Sequence, residues 1–205
     1  MKLTFSLLLA LLLTSFVRAQ NIELPAPHKT GGMPLMEALS KRSTARSFDA
    51  RELSTQQLAD LTWAGFGLNR PDGKRTAPSS HNSQEMDLYL LMKQGAYVYD
   101  AAKNTLRLVV AEDLRKIGGT GDMPLVVLYV ADTTKSKEPA SERKHIGEVE
   151  SGFISENIYL YCASEGLVTG YRISSGFDPA ALAHKLGLRA EQQIVAAQSV
   201  SYPKP

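Results

Sequence analysis

The sequence contains a single cysteine, Cys162, among its 205 residues. No intrachain disulfide can form, so the fold must be held by an ordinary apolar core, and a chain of this length can bury one. Cys162 stands among apolar neighbours. This setting favours a buried, small hydrophobic side chain over a reactive thiol.

Sequence motifs for several kinds of chemistry are also missing. The four histidines are scattered, and none stands at ligand spacing with another histidine, a cysteine or an acid, which argues against a metal site. There is no Gly-x-Ser-x-Gly nucleophile elbow, no Gly-x-Gly-x-x-Gly after a predicted strand, and no pair of acids typical of a hydrolase. Residues 118–121 resemble part of a phosphate loop but lack its lysine, so we expect a flexible loop there.

An excess of charge of one sign is absent once the first twenty residues are set aside. Residues 1–20 have a positive start, an apolar run and a small-residue site ending at Ala19, which is the pattern of a secretory signal peptide. The run is shorter than the roughly 20 apolar residues of a membrane span. We therefore expect a cleaved signal, export to the periplasm and no stable membrane insertion afterwards, with a retained anchor as the alternative.

The charge of the remaining chain bears on its partners. Of the 23 basic residues, Lys2 and Arg18 lie in the predicted signal, so 21 remain against 21 acidic residues. A net charge of zero without a dense basic stripe argues against nucleic acid as a partner.

The rest of the sequence divides into an extended leader, residues 21–33, and one domain, residues 34–205. Ser54-Thr55-Gln56-Gln57 has the spacing of a capping box and predicts a helix that ends near Gly67. Helices are also predicted near 34–39, 143–165 and 178–186, with a helical turn at 114–117. Strands are predicted over 86–93, 96–100, 105–110, 124–131, 167–173 and 193–200. Because strands and helices do not alternate regularly, the pattern indicates an α+β fold.

Two of these elements carry further information. The run over 124–131 is continuously apolar, which predicts a strand buried on both faces. The helix over 143–165 has a wide apolar stripe, which is typical of a central helix or of one that packs on a second subunit.

Two arginines four positions apart mark the segment from Arg42 to Phe48, where hydroxyl residues separate them. A guanidinium group suits a phosphate or a carboxylate, and a Ser or Thr hydroxyl can add a donor to the same oxygens. The segment therefore indicates an anion-binding clamp just after a helix. A solvated basic turn is the alternative.

A polar loop spans residues 75–84. Pro78 fixes one φ angle and has no amide hydrogen, so it pre-shapes the loop. Mixed donors and acceptors follow at Ser79, Ser80, Asn82 and Gln84. Such a loop can bind the edge of a flat heteroaromatic ring, and a plain polar turn is the alternative.

Together these two segments resemble the N-terminal signatures of the nitroreductase superfamily of flavin enzymes, Arg-x-Ser-x-Arg-x-Phe followed by Pro-Ser-x-x-Asn-x-Gln. Ser175-Gly176-Phe177 resembles a third, Gly-Phe signature. Residues 75–79 and 63–67 are most similar to the branch of SagB-type dehydrogenases. The resemblance covers most of the domain and implies a nitroreductase-like fold, with a central, mostly antiparallel sheet flanked by helices, in a homodimer.

The resemblance also implies FMN bound at the dimer interface. By position, Arg42 would contact the flavin phosphate, with Ser43 or Thr44 beside it. Arg46 would lie near N1 and O2 of the ring, where a fixed cation stabilises the charge that develops on reduction.

The remaining site residues are carried over in the same way. The backbone amides of Ser175 and Gly176 would face the flavin N5. The residues that would line the ring or the ribityl chain from the partner subunit are Pro78, Ser79, Ser80, Asn82 and Gln84. Lys204 would take the place of a C-terminal cation that grips the phosphate, although one cation of the family pattern is absent here.

The predicted function is an FMN-dependent oxidoreductase that acts on a small molecule. NAD(P)H is one candidate electron donor, but it is mainly cytosolic, which conflicts with export. The alternative is an exported flavin-binding module of the same fold without turnover, and the absent cation favours it.

Overall fold

The computed structural model of the chain describes residues 20–119, 123–173 and 175–205. The predicted signal peptide lies outside these ranges except for Gln20, and so does part of the predicted loop over 118–121. None of the helices in these ranges has the length and apolar character needed to cross a membrane.

In the part of the chain that the structure describes, seven strands form one sheet in the order β1-β4-β3-β2-β5-β7-β6, and every neighbouring pair is antiparallel. Their bounds are β1 Ile22–Glu23, β2 Met86–Met92, β3 Gly95–Asp100, β4 Thr105–Val110, β5 Leu125–Asp132, β6 Val168–Arg172 and β7 Gln192–Ser201. Strand β6 is therefore one of the two edges of the sheet.

Within the described residues, four α-helices flank this sheet: α1 Leu35–Lys41, α2 Thr55–Phe66, α3 Arg143–Ser164 and α4 Pro179–Leu186. Apolar side chains of α2 and α3 pack on one face of the sheet. Those of α4 pack on the other. The predicted α+β class, with a central antiparallel sheet flanked by helices, is confirmed.

Local sequence signals account for several of these elements. The Ser54 side chain accepts from the Gln57 amide and closes the predicted capping box at the start of α2. Helix α4 begins with a proline and ends at Gly187, whose φ of 63° suits a left-handed cap. All eight residues of β5 are buried, as the continuous apolar run predicts.

One detail differs from the expectations. The leader is not only a connection, because Ile22 and Glu23 pair with β4 at the far edge of the sheet. The helical turn predicted at 114–117 is present as a single turn, in which the Ile117 and Gly118 amides both donate to the Leu114 carbonyl.

Candidate functional site

The segment from Arg42 to Phe48, called the arginine-rich segment below, lies along the edge of the sheet at β6. Its Ala45 amide donates to the Thr169 carbonyl of β6 at 2.9 Å. A side chain at Gly170 would prevent this approach, because a Cβ there would lie 2.9 Å from the Ala45 carbonyl oxygen. The segment thus uses hydrogen-bonding groups that an edge strand leaves free.

Tyr159 of α3 holds the same segment from one side. The Arg42 guanidinium lies 5.3 Å from the centroid of its ring, within the range of a cation–π contact. The Thr44 hydroxyl is 3.1 Å from the Tyr159 hydroxyl, which also accepts from the Tyr171 amide at 3.0 Å. One tyrosine therefore connects the segment to β6, and Ser43 beside it is exposed.

A cavity of about 400 Å³ opens where this segment meets β6. Thr44 and Arg46 line it from the segment, and Arg172 and Ser175 line it from β6 and the turn that follows. No carboxylate occurs among the described residues that line it. The structure therefore brings together the predicted residues Thr44, Arg46 and Ser175 in a cationic cavity.

Arg172 is a cation that the sequence analysis missed. Its guanidinium donates to the Ser199 hydroxyl at 3.0 Å and to the Gly118 carbonyl at 3.2 Å. Its Nε is buried without a hydrogen-bond partner in the described part of the chain. Burial lowers the pKa of Arg172, although a guanidinium stays charged in proteins. No sequence motif marks this position.

These observations test whether a flavin phosphate or ring suits the cavity. Buried charges in proteins are normally paired with an opposite charge. Arg172 is half-buried and Arg46 is exposed. Neither forms an ion pair with another described residue, so the rule bears on Arg172 in particular. A cavity with two guanidinium groups and no carboxylate fits an anionic ligand such as FMN.

The second predicted segment folds as a tight loop with a 3₁₀ turn over Ser80–Asn82. Three non-glycine residues in it have positive φ angles of about 50°: His81, Asn82 and Gln84. Arg75 braces the loop, because its Nε donates to the Gln84 side-chain oxygen at 2.7 Å. Strained backbone of this kind persists only where the surroundings hold it, and it is concentrated at functional sites.

Acidic side chains lie behind this loop. Glu150 of α3 accepts from the Ser80 amide at 2.6 Å, and Glu138 accepts from the Ser80 hydroxyl. Glu85 is 1% exposed, and neither of its carboxylate oxygens has a described partner. Burial, and then the nearby charge of Glu85, raise the pKa of Glu150 to about 7, while the Ser80 amide acts in the opposite direction.

Among the described residues, those of the loop over 75–84 do not line the cavity beside the arginine-rich segment of the same chain. The loop contacts α3 at Glu150 and the arginine-rich segment contacts it at Tyr159, which are roughly 14 Å apart along the helix axis. The cavity is not lined by Pro78, Ser79, Ser80, Asn82, Gln84, Arg42, Ser43, Gly176 or Lys204. Gly176 directly follows a lining residue, whereas Lys204 is exposed beyond the end of β7.

Metal ligation has no support in the described residues, since they contain no group of three His, Cys, Asp or Glu side chains placed to hold an ion. Cys162 is buried in the apolar core, as predicted. Burial raises the pKa of its thiol, so the thiolate is disfavoured.

Comparison with known proteins identifies a family. The model of the nitroreductase family matches residues 39–202, which is most of the chain. A protein from Methanocaldococcus jannaschii, provisionally named a nitroreductase, is 21% identical over 151 residues, or 66% of this chain and 76% of its own length.

Solved structures agree with this match. A crystal structure from Ralstonia eutropha, also provisionally named a nitroreductase, has a TM-score of 0.86 and 34% identity over 92% of both chains. The NADPH:FMN oxidoreductase from Vibrio harveyi has a TM-score of 0.61 and 18% identity over 83% of this chain and 69% of its own. At that identity the second likeness bears on the fold alone.

The raised pKa of Glu150 predicts a pH-dependent stability. From its ordinary value of 4.5 up to about 7, the folded chain holds a proton that the unfolded chain releases. The free energy of unfolding should therefore fall by about 3 kcal/mol as pH rises through this window. Glu150→Gln should remove this decline, because its oxygen still accepts from Ser80 without a charge.

Urea unfolding between pH 4.5 and 8 measures this effect. The matched control is Glu156→Gln, on the exposed face of the same helix, which should keep the decline of the unmodified protein. Parallel profiles for Glu150→Gln and the unmodified protein would contradict the raised pKa.

Proposed function

We propose a function from one premise: the chain belongs to the nitroreductase family. The proposed function is that of an FMN-dependent oxidoreductase, which moves electrons between a donor and a small organic molecule. The observation that carries it is the cationic cavity at the edge of β6, lined by Arg46 and Arg172 without a described carboxylate.

The proposed roles of the residues combine this cavity with the resemblance to the family, because Arg42 lies beside the lining residue Thr44 without lining the cavity itself. FMN, when bound, supplies the hydride chemistry, and the protein supplies position, charge and access. Arg42 and the Thr44 hydroxyl would hold the phosphate, while Arg46 would stabilise negative charge on the ring. Tyr159 limits the motion of both phosphate-binding residues, since it contacts Arg42 and Thr44.

A homodimer belongs to the same proposal. The described residues of the loop over 78–84 do not line the cavity of their own chain, so their polar groups would line the flavin of a second copy. Two helices carry large apolar side chains that are exposed in one chain, which is what a subunit interface needs. They are Leu35, Met36 and Leu39 on α1, and Val149 and Phe153 on α3.

The location and the electron donor complete the proposal. We propose export to the periplasm from the signal pattern over residues 1–20, and membership of the SagB-type branch from residues 63–67 and 75–79. An exported enzyme would use NAD(P)H only where that donor is supplied. Otherwise it would oxidise its substrate and pass electrons to oxygen or a quinone.

A flavin-binding module without turnover is the second candidate. The observation in its favour is that the C-terminal cation, Lys204, lies outside the cavity. The visible spectrum of the purified protein separates the two candidates. We expect a yellow protein, or one that stays yellow after incubation with FMN and removal of the unbound FMN. Its flavin colour should be bleached by NADPH or another donor and restored by an acceptor.

Each contrary result has a distinct meaning. A protein that stays colourless after incubation with FMN would contradict both candidates. A yellow protein whose flavin no donor bleaches would support the module without turnover.

Arg42 provides a direct test of the phosphate site. Arg42→Ala should weaken FMN binding by about 1.5–3 kcal/mol, the range of a hydrogen bond to a charged group. Quenching of flavin fluorescence on titration gives the dissociation constant. Arg107→Ala, an exposed arginine on β4 near the opposite edge of the sheet, is the control and should bind FMN as the unmodified protein does. An unchanged constant in Arg42→Ala would remove this residue from the site.

The dimer can be tested at Phe153, which is 46% exposed in one chain. Phe153→Glu should shift the mass measured by light scattering from that of a dimer to that of a monomer, because a charge would be buried in an apolar interface. FMN affinity should fall with it, since the partner's loop is lost. Ala180→Glu, an exposed small apolar residue on α4, should remain dimeric. A monomeric unmodified protein that binds FMN would refute the shared site.

A further inference from the structure

We infer that Arg172 places a fixed positive charge beside the flavin ring and thereby strengthens the binding of FMN, above all of its reduced form. The inference rests on the proposed function, and it assigns a role to a residue that no signature of the family marks in this sequence.

Arg172 has no counter-charge among the described residues. Arg172 is half-buried, and its two hydrogen bonds go to neutral oxygens, those of Ser199 and Gly118. No described acid pairs with it, and none lines the cavity. Its Nε is buried without a described partner. Removing part of a charged group from water in this way is costly unless an opposite charge reaches it. An anionic ligand in the cavity would supply that charge.

The Arg172 guanidinium is held by hydrogen bonds to two different parts of the fold. Its bond to Ser199 ties it to β7, and its bond to Gly118 ties it to the turn after β4. A charge that is already fixed needs no reorganisation when negative charge develops nearby, which is why fixed groups stabilise such charge strongly.

The Arg172 side chain lies close to Gly176, in the turn after β6. A Cβ placed on Gly176 would lie 3.8 Å from Arg172 Cδ and 4.0 Å from its Nε. Ser175 lines the same cavity. The amides of Ser175 and Gly176 are those proposed to face the flavin N5, so Arg172 lies at the ring end of the site. Its charge adds there to that of Arg46.

A purely structural role makes a different prediction. If Arg172 only ties β6 to its neighbours, its contribution depends on hydrogen-bond geometry. Any replacement should then lower the stability of the fold without changing the midpoint potential of bound FMN. If its charge acts on the flavin, a lysine should preserve the effect and an uncharged side chain of similar length should not.

The experiment therefore compares Arg172→Lys with Arg172→Met, and uses Arg107→Met as the control for loss of a remote charge. Three quantities are measured for each purified protein: the dissociation constant of oxidised FMN, the midpoint potential of bound FMN, and the thermal unfolding temperature with and without FMN. The last measurement shows whether each variant folds.

For Arg172→Met we expect oxidised FMN to bind roughly tenfold more weakly, the lower end for a charged contact. Reduced FMN should lose a further factor of roughly ten, which lowers the two-electron midpoint potential by about 30 mV. The stabilisation of the fold by FMN should shrink accordingly. Arg172→Lys and Arg107→Met should keep the potential of the unmodified protein.

Two results would overturn the inference while leaving the proposed function intact. One is that the unmodified protein binds FMN and that the Arg172→Met variant binds it with the same affinity and the same midpoint potential. The other is that the midpoint potential of bound FMN falls equally in Arg172→Lys and Arg172→Met, because hydrogen-bond geometry rather than charge would then be responsible. An unmodified protein that does not bind FMN at all would contradict the proposed function itself.

Discussion

The hydrogen bond from the Ala45 amide to the Thr169 carbonyl is the contact on which the candidate site depends. It attaches the arginine-rich segment to the outer side of β6, an edge strand, and it exists because Gly170 has no side chain there. The cavity is the space between this segment and the strand. Without this hydrogen bond, nothing would hold Arg46 of the segment and Arg172 of the strand on the same cavity.

The sequence predicted most of the scaffold because its signals are local. The capping box at Ser54, the glycine at the end of α4 and the unbroken apolar run of β5 each act within a few residues. Strand β1 was missed because two residues, Ile22 and Glu23, carry no periodicity; their pairing with β4 is set by the sheet.

The site was predicted only in part, for the same reason. The resemblance gave Thr44, Arg46 and Ser175, which the structure brings to one cavity. It could not give Arg172, whose role depends on contacts with Gly118 and Ser199 that are distant in the sequence. Glu85 and Glu150 are likewise 65 positions apart. The residues around each of them in the sequence do not indicate that both carboxyl groups are buried close to each other.

The arrangement of charge suggests why the proposed site is divided between two copies. Within one chain, the arginine-rich segment contacts α3 at Tyr159, and the loop backed by the acids Glu85, Glu138 and Glu150 contacts the same helix at Glu150. In the proposed dimer, the loop of one copy would lie against the cavity of the other, so the acids behind the loop would face a cationic cavity. Complementary electrostatic potentials of this kind orient two subunits relative to each other. The same acids would repel an anionic cofactor if all were ionised. Because the pKa of Glu150 is about 7, its carboxyl group is only partly charged at neutral pH, and burial thus limits the repulsion that the loop would exert on the bound anion.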